Sequence, residues 1–224
     1  MKIKTLSLLA GVGAPLIMTT ASSAGFVGLK TTIKDNPFGL LVVNVYAIFD
    51  RPGEDHMIAV AGTPLNLLSV VVEGGTFYNH AFGVASNQPP DPALIAVFPE
   101  LAFDSFVTIG KKTLAGSDLT ITPGMALIGG SVWSFDDAGW AVTPDNPQGN
   151  PFDPANSFPG TGQILLAQFS TADGTEIHGT LLLKFVGSAQ AYVGFTSIPA
   201  PGALALLGAA GLVGTRRRRR HRRE

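Results

Sequence analysis

The run Leu40–Phe49, LLVVNVYAIF, decides how this chain reads. Branched and aromatic residues fill it and both parities are apolar, the pattern of a strand covered on two faces in the middle of a sheet. Asp50-Arg51-Pro52-Gly53 ends it in a turn. Short runs of the same kind follow between turn residues. Met57–Ala61 and Asn66–Val72 are joined through Gly62-Thr63-Pro64, and Thr76–His80 comes after Gly74-Gly75. A loop rich in Pro and Asn, Asn87–Pro92, leads into Leu94–Phe98. Within Leu101–Ile109, Leu101, Phe103, Val107 and Ile109 share one parity, with Asp104 on the other. Leu119–Thr122, Ser131–Phe135 and Trp140–Thr143 are shorter, and Ile164–Ser170, Glu176–Val186 and Ala189–Phe195 complete the set. Ala172-Asp173-Gly174 predicts a hairpin between the first two of these last three.

About ten strands in a chain with 27 glycines and 16 prolines predict an all-β fold, an antiparallel β-sandwich or jelly roll. Helix is expected only at the ends, as an N-terminal signal helix and a C-terminal apolar helix. No repeat with a period of roughly 20 to 50 residues speaks for a solenoid or propeller. The expected organisation is a signal peptide over 1–24, a β-sandwich domain over 25–197 and a tail over 198–224.

Composition narrows the function classes. Of the 224 residues 46% are hydrophobic and 14% charged, so the chain can build a core. Between residues 25 and 198 six basic residues face 15 acidic ones, a balance of −9. Such a body repels phosphates, which argues against a nucleic-acid partner. With no cysteine, disulfides, thiolate metal sites and cysteine nucleophiles are excluded.

The two ends carry an address. Lys2 and Lys4 precede the 13-residue apolar run Leu6–Met18, and Ala21-Ser22-Ser23-Ala24 supplies small residues for cleavage. That order is the secretory pattern, with signal peptidase cutting after Ala24 and Gly25 opening the mature chain. At the other end Pro199-Ala200-Pro201 is followed by Gly202–Gly214 and then by arginines at 216–220, 222 and 223. The apolar segment presents Gly202, Leu204, Leu206, Leu207, Leu212 and Val213 to lipid. As a helix its 13 residues cover roughly 20 Å, less than the hydrocarbon core of about 30 Å. Snorkelling arginines help so short a segment to sit in a bilayer. The positive-inside rule keeps Arg216, Arg217, Arg218, Arg219 and Arg220 cytoplasmic as a charge stop, with the domain outside.

Motif, apolar segment and arginine cluster, in this order at the C-terminus, resemble the PEP-CTERM sorting tail. The resemblance covers about the last 27 residues, in a Pro-Ala-Pro form in which Ala200 replaces the usual glutamate of the motif. The body is similar to exported planctomycete proteins with the same tail type. The resemblance implies an exosortase-type membrane protease as processing partner. It also implies residence in the cell envelope, anchored in the membrane at least transiently, and then at the cell surface or outside the cell. Surface polysaccharide is a candidate partner in that setting.

Candidate chemistry in the body is sparse. His56, His80 and His178 come without a Gly-x-Ser-x-Gly elbow and without His-x-His or His-x-x-x-His spacing. Asp136 and Asp137 are adjacent carboxylates, with Glu73, Glu100 and Asp104 elsewhere. The loop Asp145–Gly162 makes Asp145 and Asp153 candidate calcium ligands among Asn146, Asn150 and Asn156. Trp133, Trp140, Phe77, Tyr78 and Phe152 could stack on sugar rings, and the two tryptophans are expected together across a hairpin through Asp136-Asp137-Ala138-Gly139. No catalytic residue is assigned, and no cofactor is expected beyond calcium as a candidate. The expected function is that of an exported, non-enzymatic cell-surface or extracellular-matrix protein. The alternative is a secreted carbohydrate-binding or carbohydrate-active module with the same delivery. Aromatics gathered on an exposed sheet face would favour the alternative, and aromatics dispersed in the core the first reading.

Overall fold

The computed structural model describes residues 17–18, 25–51, 56–83 and 87–197. The sorting motif, the apolar segment, the arginine cluster, the Ala24 cleavage position and the signal peptide apart from residues 17–18 lie outside the described residues. Among the described residues no helix is long and apolar enough to cross a membrane.

Two antiparallel sheets form a sandwich-like all-β domain. The smaller sheet contains β2 (Phe26–Ile33), β3 (Leu41–Phe49), β6 (Phe106–Val107) and β10 (Gln163–Thr171), in the order β2-β3-β10-β6. The larger is built on β11 (Glu176–Phe185), flanked on one side by β12 (Gln190–Thr196). On the other side β11 pairs first with β5 (Leu68–Glu73) and then with β4 (Met57–Ala61). Beyond β5 lies β8 (Val132–Phe135), and beyond β4 lie β9 (Gly139–Ala141) and β7 (Thr120–Ile121). The two-residue β1 (Ile17–Met18) pairs with β12, so these two residues of the predicted signal helix are extended.

The core lies between the sheets. Val43, Val45, Ala47 and Phe49 of β3 face Ile177, Leu181, Leu183 and Phe185 of β11 across it, each set in strict alternation. Phe169 of β10 is fully buried at the centre, with ring centroids 5.8 Å from Phe77, 6.3 Å from Trp133 and 6.1 Å from Phe195. The indole N–H groups do not go unmatched: Trp140 donates to the Thr108 carbonyl at 2.9 Å and Trp133 to that of Ala126 at 3.0 Å.

One irregularity in β10 shapes both faces of the smaller sheet. Its register against β3 shifts between Leu165 and Ala167, where β10 carries an extra residue. Before the bulge Ile164 points into the core and Leu165 out. After it Ala167 and Phe169 point in, and Gln168 lies outside opposite Asn44. Without the bulge Phe169 and Gln168 would exchange faces.

Several expectations need correction. Ile164–Ser170 and Glu176–Val186 do not form a hairpin: β10 and β11 belong to different sheets, and the Asp173 turn carries the chain across the sandwich. Trp133 and Trp140 do meet, 6.2 Å apart, but inside the core and on strands that pair with other partners. Leu94–Phe98, read as a strand, falls largely in the helix α1 (Pro92–Val97). Asp91 caps it by accepting from the Ala93 N–H at 2.8 Å, Pro92 occupies its first turn, and Pro99 follows its end. Leu101–Ile109 divides into a 3-10 turn over Pro99–Phe103 and the short β6. Thr76–His80 contributes only an isolated bridge, Phe77 with Thr171. The pattern did not announce β2, whose Gly28, Lys30, Thr31 and Thr32 dilute its apolar signal.

Phe169 should be the most sensitive core position. Phe169→Ala is expected to lower unfolding free energy by about 3–5 kcal/mol in urea titrations. A loss below about 1 kcal/mol would contradict its central place.

Candidate functional site

The residues singled out for chemistry disperse. Trp133, Trp140 and Phe77 are core residues, and Phe152 packs against the core from the long loop. Asp136 and Asp137 are exposed on the turn from β8 to β9. In the Asp145–Gly162 loop the Asx side chains serve the loop's own turns. Asn146 accepts from the Gln148 N–H, Asn150 from Phe152, Asp153 from Ala155 and Asn156 from Phe158, at 2.7–3.0 Å. Asp145 is exposed, and among the described residues no group of three or more His, Asp or Glu converges as metal ligands would.

Two of the histidines do have charged company. His178 on β11 lies between Glu73 of β5 and Glu176, each 3.8 Å away, and forms ion pairs with them when protonated. Glu176 also accepts from the Thr196 hydroxyl at 2.6 Å. The group borders a cavity of about 360 Å³ where β2 approaches β11 and β12, with Thr31, Ser69 and Phe195 on its walls. The Thr31 hydroxyl donates to the Thr196 carbonyl at 2.9 Å and ties the two sheets together there.

His80 meets Asp104. Leaving the 3-10 turn, Asp104 is 4% exposed and accepts from the His80 backbone N–H at 2.6 Å. Its other oxygen lies over the turn at Gly83, where a Cβ would collide with the carboxylate and force it to shift. Burial pushes the Asp104 carboxyl up to about 6, against the opposing effects of the His80 N–H and imidazole.

A second concavity occupies the outer face of the smaller sheet and has a different character. Tyr46, Phe106 and Leu165 form its floor, and Lys34, Lys112 and Gln168 stand around it, enclosing about 410 Å³. Gln168, nearly fully buried, donates to the carbonyls of Ala102 at 3.1 Å and Asp104 at 2.8 Å, which straps the 3-10 turn over this face. Lys34 donates to the same Ala102 carbonyl at 3.1 Å. None of these six residues stands out in the sequence as a site. The available signal was that Lys34 and Lys112 are two of only six cations in an acidic body.

Asp104 gives the fold a testable pH dependence. Its folded pKa lies above the ordinary carboxylate value of 3.8, so between about 4 and 6 the native state holds a proton that the unfolded chain releases. Its contribution to stability is therefore present at low pH and lost as pH rises through about 6. In urea titrations at pH 4.5 and 7.5, Asp104→Asn should gain on the wild type at the higher pH; a pH-independent gap would sink this assignment. Comparison with protein-family models, with curated proteins and with solved structures gave no match to this chain.

Proposed function

We propose that the chain is an exported, non-enzymatic cell-surface or extracellular-matrix protein, delivered by its signal peptide and processed through a PEP-CTERM-like tail. The observation that carries this reading is where the folded domain begins and ends. The Gly25 carbonyl accepts from the Asp50 N–H at 2.9 Å, and β2 opens at the next residue. At the far end β12 closes at Thr196. Ser197 is still tied in: its N–H donates to the Ile177 carbonyl at 2.8 Å and its hydroxyl accepts from the Ile177 N–H at 2.9 Å. Apart from the two-residue β1, whose pairing with β12 lies on the far side of Ala24, the cleavage position and the Pro199 motif flank in sequence the stretch from Gly25 to Ser197 that carries these bonds. Cleavage after Ala24 removes β1 and bares the β12 edge at Tyr192 and Val193, while both sheets keep their longer pairings.

On this reading the signal helix inserts first and signal peptidase releases Gly25. The segment from Gly202 to Val213 then holds the chain in the membrane as a helix, with Arg216–Arg220 on the cytoplasmic side. An exosortase-type protease acts at Pro199-Ala200-Pro201, leaving the sandwich at the surface or free in the matrix. The burial of Trp133, Trp140 and Phe77 supports a structural role over a sugar-stacking face built from those rings.

Intact mass of the protein recovered from its native envelope tests this directly. The mature form should begin at Gly25 and lack the arginine cluster, and the double change Pro199→Ala, Pro201→Ala should keep the tail. A native protein that retains its arginines would overturn processing and leave a plain membrane anchor. Retention of the first 24 residues would overturn export by this signal.

A further inference from the structure

The chain leaves the sandwich at the end where its exposed aromatic rings gather. β2 starts beside the turn that joins β11 to β12, with the Phe26 ring 5.3 Å from Phe185. At Thr31 it reaches the last residue of β12, where the Thr31 hydroxyl meets the Thr196 carbonyl. β2 and β12 therefore run in the same direction, and the tail departs the way the β2–β3 hairpin projects. From Thr31 the ladder continues to Lys34, whose N–H donates to the Val42 carbonyl at 2.9 Å. Those residues carry the hairpin about 10 Å past the end of β12. Its tip is fixed by Asn36, whose side-chain oxygen accepts from the N–H groups of Phe38 and Leu40 at 3.1 Å, and Phe38 stands 42% exposed there.

Further rings continue this rim. Phe103 packs on Phe38 with centroids 5.5 Å apart, and at the other end of the 3-10 turn Phe98 stacks on Phe82 at 4.6 Å. The segment that carries Phe82 starts level with the hairpin, since the Tyr78 N–H donates to the Ser170 carbonyl and Ser170 lies opposite Val42. Among the described residues Phe38 and Phe82, the latter 61% exposed, are the two exposed phenylalanines. Asp35, Glu73 and Asp173 are exposed at the same end, so an anionic surface would be repelled.

The length of the tail says what can cover this rim. Four residues, 198–201, separate Ser197 from the apolar segment that opens at Gly202. Fully extended, that link spans about 18 Å. With the strands upright on a membrane, the hairpin takes up about 10 Å of it. The remainder, at most about 8 Å, matches the depth of one headgroup layer. We propose that, while the tail is inserted, this end of the sandwich rests on a zwitterionic lipid surface with Phe38 and Phe82 at the headgroup boundary. The domain then holds Pro199-Ala200-Pro201 at the membrane face. The inference rests on the membrane segment of the reading above and not on cleavage, since a plain anchor sets the same end on lipid.

The chain has no cysteine, so single introduced cysteines carrying a fluorophore report position. The full chain is reconstituted in phosphatidylcholine vesicles containing doxyl-labelled lipid and trimmed by signal peptidase to begin at Gly25. Labels at Pro37→Cys and Ala81→Cys, beside the two phenylalanines, and at Leu207→Cys in the tail should be quenched. A label at Val186→Cys, exposed at the opposite end of β11, should not. Phe38→Ser with Phe82→Ser should keep the wild-type urea midpoint and lose quenching at Pro37 and Ala81, with Leu207 still quenched. Quenching at Leu207 alone in the wild type would overturn the lipid contact and leave the rings to a protein partner. Unchanged quenching at Pro37 in the folded double variant would overturn the role of the phenylalanines, showing tethering only. No quenching at Leu207 would overturn the membrane segment itself, and this inference with it.

Discussion

The pairing of β3 with β10 through one bulge is the constraint on which both faces of the smaller sheet depend. The central strands of a sandwich must bury one parity, and a single extra residue reverses which parity that is. Because the shift falls between Leu165 and Ala167, Phe169 enters the aromatic centre of the core and Gln168 emerges beside Asn44. Gln168 then does what an apolar residue could not. It satisfies the Ala102 and Asp104 carbonyls and fixes the 3-10 turn over the sheet. The core and the outer pocket are two consequences of one irregularity.

The end of that strapped segment carries two of the domain's buried polar residues, Asp104 and Ser105. Asp104 accepts from the His80 N–H, its carbonyl accepts from Gln168, and the neighbouring Ser105 hydroxyl donates to the Tyr78 carbonyl at 2.9 Å. Each bond joins segments distant in the chain, so the turns from Tyr78 to Asp104 are held by side-chain chemistry where strand ladders are missing. A carboxylate carrying such a link in a buried place costs stability when ionised, which is why pH bears on this fold at Asp104. Lys34, bonded to the Ala102 carbonyl from the other side, makes the same segment one wall of the cationic pocket. The long loop from Asp145 to Gly162 is organised differently, by Asx turns in which the side-chain oxygens of Asn146, Asn150, Asp153 and Asn156 each accept from the N–H two residues on.

The strands around the core were readable from composition and alternation alone. Leu40–Phe49, Met57–Ala61, Ile164–Ser170 and Glu176–Val186 lie within a residue or two of observed strands, because apolar runs between Gly, Pro and Asx turns have few other ways to bury themselves. The all-β class followed from them, as did the short strands at Thr120 and Val132. Leu94–Phe98 went the other way: a short apolar run does not distinguish strand from helix, and the Asp91-Pro92 cap settled it locally. That signal was present in the sequence and outweighed the run.

Which strands would pair was not written locally. The Ala172-Asp173-Gly174 turn looks the same whether the chain doubles back on one sheet or crosses to the other; partners sixty and more residues away, such as Phe169 opposite Val43 and Ile177 opposite Val72, decided the crossing. The same holds for the pocket. Lys34, Lys112 and Gln168 are separated by long stretches of chain, and no spacing links them until the bulge turns Gln168 outward and the 3-10 turn closes over Tyr46. Hydrophobic period and turn chemistry act over a few neighbours and so set strand character and the charge balance of the body in one dimension. Register, sheet membership and the convergence of two cations are long-range properties, and they came into being only when the sheets packed.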